Sequence, residues 1–253
     1  MIRNNQLKYF SSLLIKKYRF KENKFIVEGE RSVLEGLSSK FNCEAILISN
    51  DFFKRKKGLI DSLKIAPDKI HILKSNEFNK ISDTKSPQGI AAVFKDRNLN
   101  LNNISDNNGK IIVMLDNISD PGNLGTTIRT CDWFGIKNIV LSGESVDWTN
   151  PKVLRSTMGS IFRVNIFQIN NYEELENLKS NGYEILCADT DGDNIFSFKT
   201  DKNKVVIFSN EAHGPSEEIF RHVDKKITIP KIGEADSLNV ASASAVILAE
   251  LTK

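Results

Sequence analysis

Short apolar runs alternate with segments of helical spacing along the whole chain, and the alternation falls into two halves. The first half opens with an amphipathic helical pattern around Leu7 to Tyr18. Strand-like runs follow at Phe25–Val27, Ala45–Ile48, Ile70–Leu73 and Ala91–Phe94, with helical stretches between them. This pattern predicts a small α/β layer domain. The second half carries runs at Ile111–Leu115, Asn138–Leu141, Val164–Phe167, Glu184–Leu186, Lys204–Phe208 and Lys226–Ile229. Several are continuously apolar, which suits parallel strands covered by helices on both faces. The Ala-rich stretch Val240 to Leu251, apolar at Val240, Ala243, Val246, Ile247 and Leu251, predicts a buried helix.

Between the halves, Lys95 to Gly109 is rich in Asn, Asp and Ser and has little capacity to bury surface, so it reads as a linker. The expected organisation is α/β throughout: a domain over residues 1–97, a linker over 98–109, and a second domain with a mostly parallel sheet over 110–253. At 253 residues, 40% hydrophobic and 26% charged, the chain has room for one large domain or two smaller ones. No apolar run approaches the roughly 20 residues that span a bilayer, and Met-Ile-Arg-Asn-Asn does not read as a signal peptide. The expectation is a cytoplasmic protein with no membrane partner. Cys43, Cys131 and Cys187 are far apart and not clustered with histidines, so they read as buried apolar residues rather than a disulfide framework or a metal site.

Charge divides as the elements do. Residues 1–97 hold 20 Lys/Arg against 11 Asp/Glu, whereas residues 98–253 hold 15 against 21. A basic half is the footprint of phosphate-backbone binding, although lysine enrichment also serves solubility.

Three polar, glycine-punctuated segments each lie just beyond a strand-like run: Asp120-Pro-Gly-Asn-Leu-Gly-Thr-Thr-Ile-Arg129, Ser209-Asn-Glu-Ala-His-Gly214 and Ser237-Leu-Asn239. In alternating α/β proteins ligands bind outside the carboxyl ends of strands, so the three predict one crevice. Pro121 to Gly125 suits a tight turn that presents N–H groups at the start of a helix, a geometry for an anion, or equally an ordinary strand-to-helix turn. Glu211 is a carboxylate at a sheet's end or the acidic residue of a helix N-terminus. Ser237 and Asn239 precede the last helix and also suit caps. Neither GxGxxG nor GxxxxGK[ST] is present, which removes support for a standard dinucleotide or P-loop site.

These segments resemble, in order and spacing, the three motifs of the SpoU family of ribose 2′-O-methyltransferases. The resemblance extends to Lys152–Phe167, with Arg155, Ser156 and Met158–Arg163, and to Ile229-Pro-Lys-Ile-Gly233 ahead of the third motif. In the first half, Leu14–Arg19, Phe25–Glu30 and Ser86–Ile90 resemble the substrate-binding extension of two-domain members. One departure is Ser209, where the family commonly has Gly before Asn-Glu, a change expected to narrow the cofactor pocket.

The resemblance implies a trefoil-knotted methyltransferase domain that binds S-adenosylmethionine, an amino-terminal α/β domain that binds RNA (ribosomal or transfer), and a homodimer with each active site completed across the interface. By carry-over, Asn123, Arg129, Glu211, Ser237 and Asn239 are the catalytic positions. Phe208, Ser209, Asn210, Gly214, Ile229 and Leu238 hold the cofactor, and Lys16, Lys17, Arg19 and Arg155 are the expected RNA contacts. No metal is required, because a sulfonium methyl is already electrophilic. Arg129 is expected to clamp phosphate and the developing oxyanion rather than act as a base, since guanidinium stays protonated. Two competing classes are a catalytically silent RNA-binding protein with the same fold, disfavoured by the intact catalytic positions, and a Rossmann-like enzyme for a small nucleotide, disfavoured by the basic half.

Overall fold

The computed structural model describes residues 2–101, 104, 110–210 and 214–253. Contacts divide the chain into two compact units. The first is residues 1–97 with 147–162, and the second is 98–146 with 163–253. Residues 147–162, expected in the second domain, therefore pack with the first unit.

In the first unit, α1 (Asn4–Ser12) and α2 (Lys16–Glu22) lead into β1 (Lys24–Glu28), α3 (Glu30–Leu37), β2 (Cys43–Ser49), α4 (Asn50–Arg55), α5 (Lys57–Ser62), β3 (Ile70–Leu73), α6 (Ser75–Phe78) and β4 (Ile90–Lys95). The single helix expected over Leu7–Tyr18 is thus two, because the chain turns at 13–15 and restarts. The sheet order is β1-β4-β2-β3, antiparallel except for the β2–β3 pair. Period-two alternation splits the apolar residues between the faces. Ile26, Leu47, Ala91 and Val93 join Leu7, Phe10 and Leu13 from the helical start. The opposite residues Phe25 and Phe94 meet Trp148 and Phe162, with Phe25–Trp148 centroids 5.0 Å apart and Phe94–Phe162 4.9 Å. These edge-to-face aromatic contacts are what draw 147–162 into this unit. A Cβ at Gly36 of α3 would lie 2.4 Å from the Phe94 ring and 2.7 Å from that of Phe162, so only glycine admits the aromatic layer.

The second unit contains β5 (Ile111–Asp116), α7 (Pro121–Trp133) and β6 (Asn138–Ser142). After α8 (Pro151–Ser156) of the first unit come β7 (Asn165–Ile169), α9 (Glu174–Ser180), β8 (Tyr183–Asn194), β9 (Asn203–Ser209), α10 (Glu217–Phe220), β10 (Lys225–Thr228) and α11 (Val240–Leu251). Its six strands run in the order β10-β8-β9-β5-β6-β7, all parallel. Ile112, Met114, Val205 and Ile207 pack on one face with Leu175 and Leu178 of α9. α11 packs on α7 and on β9. The stretch expected to be a plain linker is partly anchored. Leu99 bridges to Phe167, and Leu101 and Ile104 are buried in the core cluster, because three apolar residues in a polar segment suffice to tie it down. No helix of the described residues is long and apolar enough to cross a membrane.

Candidate active site

The parallel sheet brings the ends of β5, β9, β8 and β10 to one edge, with Asp116 in register with Ser209. The first motif does not form a turn ahead of a helix. Pro121-Gly-Asn-Leu-Gly125 is itself the opening turn of α7, with proline at the first position and Asp120 as N-cap, its Oδ1 accepting from the Asn123 N–H at 2.8 Å. Ser142, the last residue of β6, and Ser145 just beyond it hold the approach to this helix. Ser142 Oγ accepts from Asn117 N–H at 2.8 Å, and Ser145 Oγ accepts from Ile118 N–H at 3.1 Å.

Behind the second motif the buried Asp116 pairs with the half-buried Tyr172, a contact that sequence reasoning missed. Asp116 accepts a 2.6 Å hydrogen bond from the Tyr172 hydroxyl and a longer one, 3.4 Å, from Ser209 Oγ. Burial and the Asp116 carboxylate together push the Tyr172 phenol well above its ordinary pKa, so it stays a donor. The one signal in the sequence is an acid directly ending an apolar strand. Ser209, the departure from the family pattern, therefore spends its hydroxyl on Asp116. Asn210 Nδ2 donates to the Asn117 carbonyl at 3.0 Å, which ties the second motif to the segment that leads into the first. Gly214, at φ +63°, donates its N–H to the Asn210 carbonyl at 2.8 Å, a left-handed position that favours glycine.

These strand ends enclose a cleft of about 360 Å³, within the size range of small-molecule sites. All six expected cofactor residues, Phe208, Ser209, Asn210, Gly214, Ile229 and Leu238, line it, as does Ser237. Val240, Ala243 and Ile247 of α11 supply an apolar wall, and Asp189 and Thr190 a polar one. Burial raises the Asp189 pKa, but the Lys226 ammonium at 2.8 Å and backbone N–H groups outweigh it, so the carboxylate titrates below its ordinary value. The third motif caps the last helix as its residue types suggest: Asn239 Oδ1 accepts from Ala241 N–H at 3.0 Å and Ser242 N–H at 3.4 Å. Its Nδ2 does something more, donating to Asn123 Oδ1 at 3.0 Å and joining the third motif to the first across 116 residues of sequence. Arg129 is exposed further along α7 and is not part of the cleft lining. Glu211 lies outside the described residues.

In the first unit, Lys16 and Lys17 are exposed. Arg19 is not an RNA contact. It is 4% exposed, its Nη2 lies 2.6 Å from Asp147 Oδ2, its Nε donates to Thr149 Oγ1, and its Nη1 donates to the Leu13 and Leu14 carbonyls. A guanidinium with five donors can be spent wholly inside a fold, which a charge count does not reveal. Arg155 lines a second cleft, of about 910 Å³, formed within the first unit. Its Nη1 forms an ion pair with Asp83 Oδ2 at 2.8 Å, without a hydrogen bond of its own.

Comparison with known proteins bears directly on this arrangement. Residues 110–249 match the SpoU rRNA methylase family, and residues 4–92 match the MRM3-like substrate binding domain. The chain is 30% identical over 255 residues to the 23S rRNA (guanosine(2553)-2′-O)-methyltransferase RlmP of Bacillus subtilis, covering 98% of this chain and 96% of that one. Among solved structures, a TrmH-family protein from Porphyromonas gingivalis superposes with a TM-score of 0.86 at 29% identity, over 99% of this chain and 98% of that one. The S-adenosylmethionine-bound rRNA methyltransferase from Sinorhizobium meliloti superposes with a TM-score of 0.85 at 27% identity, over 99% and 95%. With the family match covering more than half of its length, the chain belongs to the SpoU rRNA methylase family.

Proposed function

We propose that this protein transfers a methyl group from S-adenosylmethionine to a ribose 2′-hydroxyl of ribosomal RNA. The observation that carries this reading is the convergence of three sequence-distant segments on one edge of the sheet. The second and third line a single cleft, and the Asn239–Asn123 hydrogen bond binds the third to the first. The cleft fits the cofactor's chemistry: an apolar wall from Ile229, Leu238 and α11 suits a heteroaromatic ring, and strand-end backbone and Asp189 supply polar partners. Bound there, the cofactor supplies an electrophilic methyl.

The chain's own residues then hold and orient the RNA. Arg129, exposed and permanently cationic, clamps the phosphate beside the target and the charge developing on the 2′-oxygen. Asn123, fixed by Asn239, orients Arg129, and Glu211 is assigned the same orienting role. The first unit holds the RNA, in keeping with the substrate-binding domain it matches.

The same reading includes a trefoil knot, a homodimer and cytoplasmic action. Trp133 at the end of α7 is 83% exposed and Val246 of α11 is 37% exposed, apolar surface of the kind a second copy covers. Sedimentation at micromolar protein that shows only monomer refutes the dimer. The activity is tested by incubating the protein with radiolabelled S-adenosylmethionine and unmodified ribosomal RNA, then mapping 2′-O-methyl positions. Cofactor binding without methyl transfer to that RNA or to transfer RNA overturns the proposal.

A further inference from the structure

Helix α2 is inverted. Its sole buried residue is Arg19, whereas its aromatic residues face solvent: Tyr18 is 39% exposed and Phe20 57%, and the preceding Ile15 is 54% exposed. A surface helix ordinarily buries its apolar stripe and leaves its charges outside. Here the guanidinium goes in. Paired with Asp147 and bonded to Thr149 and to the Leu13 and Leu14 carbonyls, Arg19 pins α2 to the first unit by its polar side. The opposite arc is left for something else.

The order of residues around that arc is informative. At about 100° per residue, Lys16 and Phe20 fall at roughly 0° and 40°, Lys17 and Lys21 at roughly 100° and 140°, Tyr18 at roughly 200° and the anchoring Arg19 at roughly 300°. Lysines therefore separate two exposed rings. The Lys16 ammonium lies 5.5 Å from the Phe20 ring centroid, and α2 carries Glu22 as its single acid against three lysines. Rings flanking a cationic row match single-stranded RNA, which offers base faces for stacking and phosphates for the lysines. A hydrophobic protein partner gains nothing from the lysines, and a duplex hides its base faces.

We infer that the exposed face of α2 is a stacking platform for an unpaired stretch of the RNA substrate, with Tyr18 and Phe20 against bases at either end of a short run of backbone and Lys16, Lys17 and Lys21 on the phosphates of that run. The inference rests on the proposed RNA methyl transfer but is read out by binding, so the two fail separately. Stacking is insensitive to salt, whereas phosphate contacts release counterions, at about 0.7 in the slope of log K against log salt for each single-strand contact.

The test uses the full chain and in vitro transcribed, unmodified 23S ribosomal RNA across a salt series. The double variant Tyr18→Ala, Phe20→Ala binds at least about tenfold more weakly with an unchanged slope. The triple variant Lys16→Gln, Lys17→Gln, Lys21→Gln loses up to about 2 in slope. Tyr18→Phe retains wild-type binding. Cofactor affinity and Tm are unchanged throughout, since all these side chains are exposed. Poly(U) competes for the wild-type protein better than a poly(A)·poly(U) duplex. Wild-type RNA affinity in the double variant overturns the platform, and so does a changed mass in solution, which makes the face a protein interface. If the wild type binds this RNA as described yet methylates none, the proposed activity falls and the platform stands.

Discussion

Asn239 offers the sharpest separation of a catalytic contact from a structural one, because one side chain does both tasks with different atoms. Its Oδ1 caps α11 through Ala241 and Ser242, and its Nδ2 holds Asn123. Asn239→Ala removes both. Losing the cap costs about 1 kcal/mol, and losing a neutral, exposed hydrogen bond about 0.5 kcal/mol more. In a protein of this size that lowers Tm by roughly 3 to 6 °C. Asn239→Asp keeps the cap and adds a negative charge at a helix N-terminus, worth about 0.3 to 1 kcal/mol. It also replaces the donor to Asn123 with an acceptor, so an oxygen faces Asn123 Oδ1 where a hydrogen bond of 3.0 Å stood. The gain and the loss nearly cancel, and Tm stays within about 2 °C of wild type. If the bond orients Asn123 at the reacting centre, Asn239→Asp lowers single-turnover methyl transfer at least about tenfold with cofactor affinity nearly intact. Thermal melts, cofactor titration and single-turnover rates on saturating RNA measure the three quantities. An Asn239→Asp protein that melts and reacts like wild type reduces the residue to a cap and refutes the link between the motifs.

Arg129→Lys keeps the charge but loses the planar fork, so a clamp loses about 2 to 4 kcal/mol of transition-state stabilisation; an active variant with a new titration near a lysine's pKa, followed from neutral to alkaline pH, makes the residue a base instead. Arg19→Ala leaves Asp147 buried without its partner and destabilises the first unit by about 3 to 5 kcal/mol, measured by denaturant unfolding; an unchanged midpoint contradicts the anchoring role. Burial pushes the Cys43 thiol up to about 11 and that of Cys187 up to about 12, and raises Cys131 further. None of the three is a thiolate at pH 8, so native protein resists alkylation there while unfolded protein takes up three labels, and rapid native labelling at any of them refutes their burial. Asp189 titrates below its ordinary value, so its pairing with Lys226 stabilises the fold above about pH 4 and that contribution is lost as pH falls through the lower folded-state value. Acid unfolding of Asp189→Asn, compared with wild type from pH 6 to pH 2, shows a flatter loss of stability if this holds.

Among the described residues the sequence by itself located each strand and the last helix, though not the run of β8 on to Asn194. Continuous apolar runs such as Ile111–Leu115 and Val205–Phe208 have no polar face to turn to solvent, so they belong between helix layers wherever they fall in the chain. It also marked part of the cleft lining, Phe208, Ser209, Asn210, Gly214, Ile229, Ser237 and Leu238, because glycine, asparagine and serine just past such runs have little other reason to cluster. What it did not contain was the fate of individual polar side chains. Arg19 and Lys16 look alike in a basic segment, yet one is buried on Asp147 and the other exposed; the difference is made by an acid 128 residues away that the fold delivers. The same holds for Tyr172 on Asp116, for Asn239 on Asn123, and for residues 147–162, which the aromatic layer of Phe25, Phe94 and Phe162 draws into the first unit. Backbone periodicity is a local property and is written locally. Pairing of buried polar and aromatic groups is a property of chain segments brought together only on folding, and only the tertiary structure decided it.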